Sequence, residues 1–130
     1  MEESVFTKII KGELPCHKIY EDDLTIAFLT IAPVRDGHTL VVSKKQIDQY
    51  LDLPTEDYEA LWKTVNKVGR RIRESMGKER VGVVIKGVDV PHTHVHLIPF
   101  DSGQSLGADE IPKGNTDQDH LTKIAASLAF

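Results

Sequence analysis

Between Pro91 and Pro99 the chain sets a histidine at every second position: His92-Thr93-His94-Val95-His96, followed by Leu97-Ile98. β-branched and apolar residues fill the gaps, which is strand composition. The period of two then places His92, His94 and His96 on one face, and Thr93, Val95 and Leu97 on the other. Neighbouring imidazoles start about 6.6 Å apart along such a strand. Three buried rings in a row are costly unless each is solvated or paired. One strand face thus carries three titratable rings, which is an unusual use of a strand.

The remainder bounds what that strand belongs to. With 130 residues the chain fits a single domain over 1–130 that can bury a real core. A net charge of −4 and an aromatic share of 6% argue against a nucleic-acid partner. No apolar run approaches the roughly 18 residues of a membrane span, so no membrane partner is expected. The single cysteine, Cys16, excludes an intrachain disulfide and suits a reducing compartment. A cytoplasmic location is the expectation.

Val5, Phe6, Ile9 and Ile10 recur at helical spacing and predict a short N-terminal helix stopped by Gly12. Strands are expected over His17–Glu21 and Thr25–Leu29 as a hairpin, then over His38–Ser43. Lys44–Leu53 reads as a short helix or turn. The longest element is a helix with Thr55 as N-cap. Its apolar stripe is Tyr58, Leu61, Trp62, Val65, Val68, Ile72 and Met76, and Gly77 ends it. Arg70, Arg71 and Arg73 near its end form either a phosphate patch or a solvated face suited to the helix dipole.

Arg80–Lys86 reads as a buried strand, joined to the histidine strand by a tight turn at Gly87–Val90. Asp101–Asn115 reads as a loop, and Thr116 as the cap of a final helix with Leu121, Ile124, Ala125 and Leu128 inward. These elements predict an α+β fold: an antiparallel five-stranded sheet with one long helix, a short N-terminal helix and a C-terminal helix.

Three chemistries suit a row of histidines. His-x-His on a strand can chelate zinc, copper or iron, with His38 completing the set. The row can be a hydrogen-bonded polar core. Or it can handle phosphate, since imidazole Nε2 attacks phosphorus well when Nδ1–H is held by an acceptor. Protonated neighbouring rings then hold oxygens and supply a proton to the leaving group. In that scheme the central ring, His94, attacks, and neither metal nor cofactor is needed.

Phe6-Thr7-Lys8-Ile9-Ile10, Tyr20-Glu21-Asp22-Asp23, Ala27-Phe28, Ile31-Ala32-Pro33 and Gly37-His38-Thr39-Leu40-Val41-Val42 precede the triad in order. With them the chain resembles the histidine triad (HIT) family of nucleotide hydrolases and transferases over about residues 4–100. The branch it looks most like hydrolyses nucleoside phosphoramidates. The resemblance implies a homodimer acting on AMP or GMP conjugates through a nucleotidyl-histidine intermediate. His94 would be the nucleophile and His96 would lie by the leaving group. His92 would orient His94 through its carbonyl, and His38 would support from the preceding strand. Phe6, Ile9, Phe28 and Ile31 would enclose the base and sugar, unless they are core.

The departures from the family pattern are specific. Where an aspartate commonly holds ribose hydroxyls, this chain has Thr30. The usual phosphate loop is replaced by Lys86-Gly87-Val88-Asp89-Val90, in which Gly87 would let backbone approach and Asp89 would repel phosphate if turned inward. The positions that hold structural zinc in some members are Ser4, Thr7, Gln46 and His92 here, so no structural zinc is expected.

Overall fold

The alternation resolves into five antiparallel strands with helices on both sides. The computed structural model describes residues 2–106 and 116–130. In chain order the elements are α1 (Val5–Ile10), β1 (Lys18–Glu21), β2 (Thr25–Leu29), β3 (Thr39–Ser43), a 3-10 turn (Tyr50–Asp52), α2 (Thr55–Met76), β4 (Arg80–Val84), β5 (His94–Phe100) and α3 (Gln118–Leu128). The sheet order is β1-β2-β3-β5-β4. The expected α+β architecture, with one long helix, a short N-terminal one and a C-terminal one, is what the chain adopts.

Each strand sends alternate residues to opposite layers. On one side Ala27, Leu29, Val41, Val95 and Leu97 meet Leu61, Val65, Val68 and Ile72 of α2 and Leu121, Ala125 and Leu128 of α3. Leu61 and Ile72 are fully buried, and each such side chain is worth about 1.5–3 kcal/mol in surface removed from water. On the other side Ile26, Phe28, Leu40 and Val42 pack with Phe6 of α1. Within the α2 stripe Trp62 and Met76 are half-buried against the core, and Tyr58 is exposed. Arg71 donates to the Ala129 carbonyl and lies over the Phe130 ring, tying down the C-terminus.

Several expectations are corrected. The histidine strand begins at His94, so His92 stands outside the ladder in the segment that leads in. β4 is an edge strand rather than a buried one, with Val83 exposed, because only β5 pairs with it. The connection from β4 to β5 spans residues 85–93 and is no tight turn. Pro54 rather than Thr55 occupies the N-cap position of α2, with its fixed φ at −55° and no side-chain cap bond. α3 is capped by Asp117, whose carboxylate accepts from the His120 amide, one residue after the expected Thr116. Of the loop expected over Asp101–Asn115, residues 107–115 lie outside the described residues.

Candidate active site

α1 lies over the sheet face opposite α2. Ser4 caps it, accepting from the Thr7 amide at 3.0 Å, and the helix turns Phe6 and Ile9 toward the histidines. The β3–β5 register pairs Val42 with His94 and Leu40 with His96. Both rings therefore emerge on the face that carries Phe28. A cavity of about 730 Å³ opens there. Phe6, Ile9, Phe28, Thr30, Ile31, His38, Asp89, His94 and His96 all line it. The Phe6 ring stands edge-on to His94 at 4.9 Å and tilted to Phe28 at 5.8 Å. Ile31 is 70% exposed and forms rim rather than core. No helix among the described residues is long and apolar enough to cross a membrane.

Hydrogen bonds fix the tautomers. His94 Nδ1 lies 2.7 Å from the His92 carbonyl. A carbonyl only accepts, so Nδ1 carries the proton and a neutral ring keeps its lone pair on Nε2. The Val34 amide donates to His38 Nδ1 at 3.0 Å, which leaves the proton of a neutral His38 on Nε2. That Nε2 meets His96 Nδ1 at 2.9 Å. His96 accepts there and carries its own N–H on Nε2. Burial, then the His96 and Arg35 charges, push His38 down to about 3. Burial and His94 push His96 down to about 4, against an opposing pull from Asp89. Both rings are neutral near pH 7, which corrects the expectation of protonated neighbours: burial disfavours their charge.

His92 is fully buried and does not meet the cavity. Its Nε2 lies 2.6 Å from the Ser43 carbonyl, and its Nδ1 2.6 Å from Ser4 Oγ. Burial holds it below the ordinary imidazole range, opposed by the Ser43 bond. Ser4, Thr7, Gln46 and His92, the set that the family resemblance aligns with a zinc site, converge in one hydrogen-bonded cluster. Among the described residues no three His, Cys, Asp or Glu side chains are grouped to hold a metal.

Thr30 Oγ1 accepts from the Ala32 amide at 3.2 Å, at the rim. Gly87 lies outside the cavity lining and turns the chain with φ +73°. Asp89 is exposed, and its carboxylate favours the protonated form of His96. The sequence reading missed Cys16, Lys86, His17 and Gln118 in the lining. His17 Nε2 and Gln118 Oε1 are 2.8 Å apart across 101 residues of chain, a contact that no local pattern signals.

The HIT domain family model matches residues 11–103. The chain is 34% identical to Protein hit of Bacillus subtilis, covering 98% of this chain and 93% of that one. It is 37% identical to adenosine 5′-monophosphoramidase hnt1 of Schizosaccharomyces pombe over 73% of this chain and 72% of that protein. The crystal structure of a Hit-like protein involved in cell-cycle regulation from Bartonella henselae superposes with a TM-score of 0.83 at 30% identity. That match covers 97% of this chain and 94% of the other.

Proposed function

The chain belongs to the HIT-domain family of hydrolases, and from that premise we propose that it cleaves nucleoside 5′-phosphoramidates or similar AMP and GMP conjugates at the α-phosphate. The observation that carries this reading is the 2.7 Å bond from His94 Nδ1 to the His92 carbonyl. It leaves Nε2 as an aimed lone pair on a ring that lines the cavity. Nε2 attacks phosphorus, the P–N bond breaks, and the amine leaves with the electron pair and gains a proton. His96 Nε2–H stands beside His94, with ring centroids 5.3 Å apart. As a neutral ring it hydrogen-bonds through that N–H to a phosphoryl oxygen or the departing nitrogen, the amine takes its proton from solvent, and His38 holds the ring in that tautomer. Water then attacks the nucleotidyl-histidine, the Nε2–P bond breaks, and the nucleotide is released. No step calls for a metal or cofactor.

Phe6, Phe28, Ile9 and Ile31 offer apolar surface to a purine base, and Thr30 a hydroxyl to the ribose. In this reading Gly87 and Asp89 belong to the segment that passes the phosphate. The enzyme is a homodimer, a reading supported by the open edge of β4 with its exposed Val83, and it is cytoplasmic, which its single cysteine suits. Sedimentation would check the dimer.

Replacing His94 with Ala should abolish release of AMP from adenosine 5′-phosphoramidate while the melting temperature is kept. Undiminished turnover would sink the mechanism. The alternatives are hydrolysis of dinucleoside polyphosphates and nucleotide or partner binding with little catalysis. Thr30 and Asp89 on the cavity wall motivate the last, because both weaken the contacts expected for productive nucleotide turnover. A panel of phosphoramidate and diadenosine polyphosphate, with AMP and GMP calorimetry alongside, separates them.

A further inference from the structure

Beneath the cavity, Ser4 joins two parts of the molecule that are 88 residues apart in sequence. The Ser43 carbonyl at 2.6 Å requires His92 to carry its proton on Nε2. The neutral ring then presents a lone pair at Nδ1, and Ser4 Oγ–H, also at 2.6 Å, donates to it. The hydroxyl is held in turn. Its oxygen caps α1 through the Thr7 amide. The Ser4 amide and the Thr7 hydroxyl both donate to Gln46 Oε1, at 2.9 and 2.7 Å. Gln46 Nε2 donates to the Glu2 carbonyl at 2.8 Å. Both ring nitrogens of His92 are therefore fixed, and the carbonyl of that same residue receives His94 Nδ1. Phe6, two residues along from Ser4, packs against the His92 ring at 5.8 Å and the His94 ring at 4.9 Å.

We propose that Ser4 is a positioning residue for the reaction. By fixing the His92 ring its hydroxyl fixes the His92 carbonyl, and so the line along which His94 Nε2 meets phosphorus. This rests on the reading of His94 as the nucleophile. A purely structural Ser4 would do less: it would hold α1, and with it the pocket wall, in place. The two roles make different demands on substitution. Ala removes both the cap and the bond to His92. Asp keeps a cap acceptor but has no proton to give, so it meets His92 Nδ1 only if the ring takes up a proton. Thr keeps both functions.

The test compares Ser4→Ala, Ser4→Asp and Ser4→Thr in single-turnover cleavage of adenosine 5′-phosphoramidate, AMP calorimetry and ¹⁵N NMR of the histidine rings. Ala and Asp should each slow the single-turnover rate about tenfold, with the AMP dissociation constant within about threefold of wild type, and Thr should restore the rate. The ¹⁵N signals of His92 and His94 should move in Ser4→Ala, with those of His38 and His96 unmoved. An unchanged rate in both Ala and Asp variants overturns the proposal. So does a loss confined to AMP affinity, which would leave Ser4 as an anchor of α1. If the wild type does not hydrolyse the phosphoramidate, the function above falls. The NMR arm then decides the coupling alone, and unmoved His94 signals in Ser4→Ala reject it.

Discussion

His38 Nε2 faces His96 Nδ1 at 2.9 Å, so only one of the two nitrogens can hold a proton. The Val34 amide on the far side of His38 decides which. A proton added to His96 Nδ1 would face the His38 Nε2–H, and one added to His38 Nδ1 would face the Val34 amide, so either breaks this arrangement. The pair thus sets the direction of a hydrogen bond and also ties folding to pH.

Acid should destabilise the fold well above the carboxylate range. His38 titrates at about 3 and His96 at about 4 in the folded chain, against 6.5 when unperturbed. Between 6.5 and those values the unfolded chain binds more protons. The stability is fully present above 6.5 and falls as pH drops, by up to about 1.4 kcal/mol per pH unit for each ring that stays neutral. Urea unfolding of wild type and His38→Phe at pH 7 and pH 5 checks this. The variant should lose less stability on acidification, and an equal loss would contradict the assignment.

Gly37→Ala should destabilise by about 2 kcal/mol or more. Gly37 sits at φ +91°, and a Cβ there would come within 2.9 Å of Met76 Cγ and 3.1 Å of Pro99 Cγ. Neither the backbone nor the space admits a side chain. Because Gly37 precedes His38, the strain should also loosen the pairing with His96. Thermal melting gives the first effect. A lower kcat in the fully folded fraction gives the second.

Asp89→Asn should lower KM for an anionic nucleotide by about two- to fivefold, as expected for one exposed charge. The gap should close at high salt. Removing the carboxylate also removes the interaction that favours protonated His96, so that ring should titrate lower still. Salt-dependent kinetics and an NMR titration of His96 read the two effects separately. A KM that rises would mean that Asp89 contacts the substrate favourably.

Local periodicity made most of the fold legible. The α2 stripe, the β2 and β3 runs and the alternation at His94 and His96 each follow from a period of 3.6 or two. Non-local geometry was not legible. Arg80–Lys86 looks buried by composition, but the exposure of β4 depends on its having a single neighbour in the sheet, which composition does not encode. His92 continues the alternation in sequence yet leaves the ladder, because its ring is claimed by Ser43 and Ser4. The cavity residues Phe6, Ile9, Phe28, Thr30 and Ile31 are legible through family likeness rather than pattern, whereas His38 also stands out as a fourth histidine able to join the row. In the sequence Ser4, Thr7 and Gln46 stand out only as positions lacking metal ligands. The bonds that tie them to Gln46 and His92 span 39 to 88 residues, a separation that no local pattern encodes.

The two hydrophobic layers lie on opposite faces of the one sheet. What keeps the protein folded and what shapes its pocket are therefore coded by alternating positions of the same strands. Phe28 faces the cavity, whereas its neighbours Ala27 and Leu29 face the long helix. Substitutions at Ile9, Phe28 or Ile31 can accordingly re-cut the binding surface for a different base while α2 and α3 stay packed. Such a sheet is a ready platform for changing ligand preference by directed evolution, with libraries confined to every second residue.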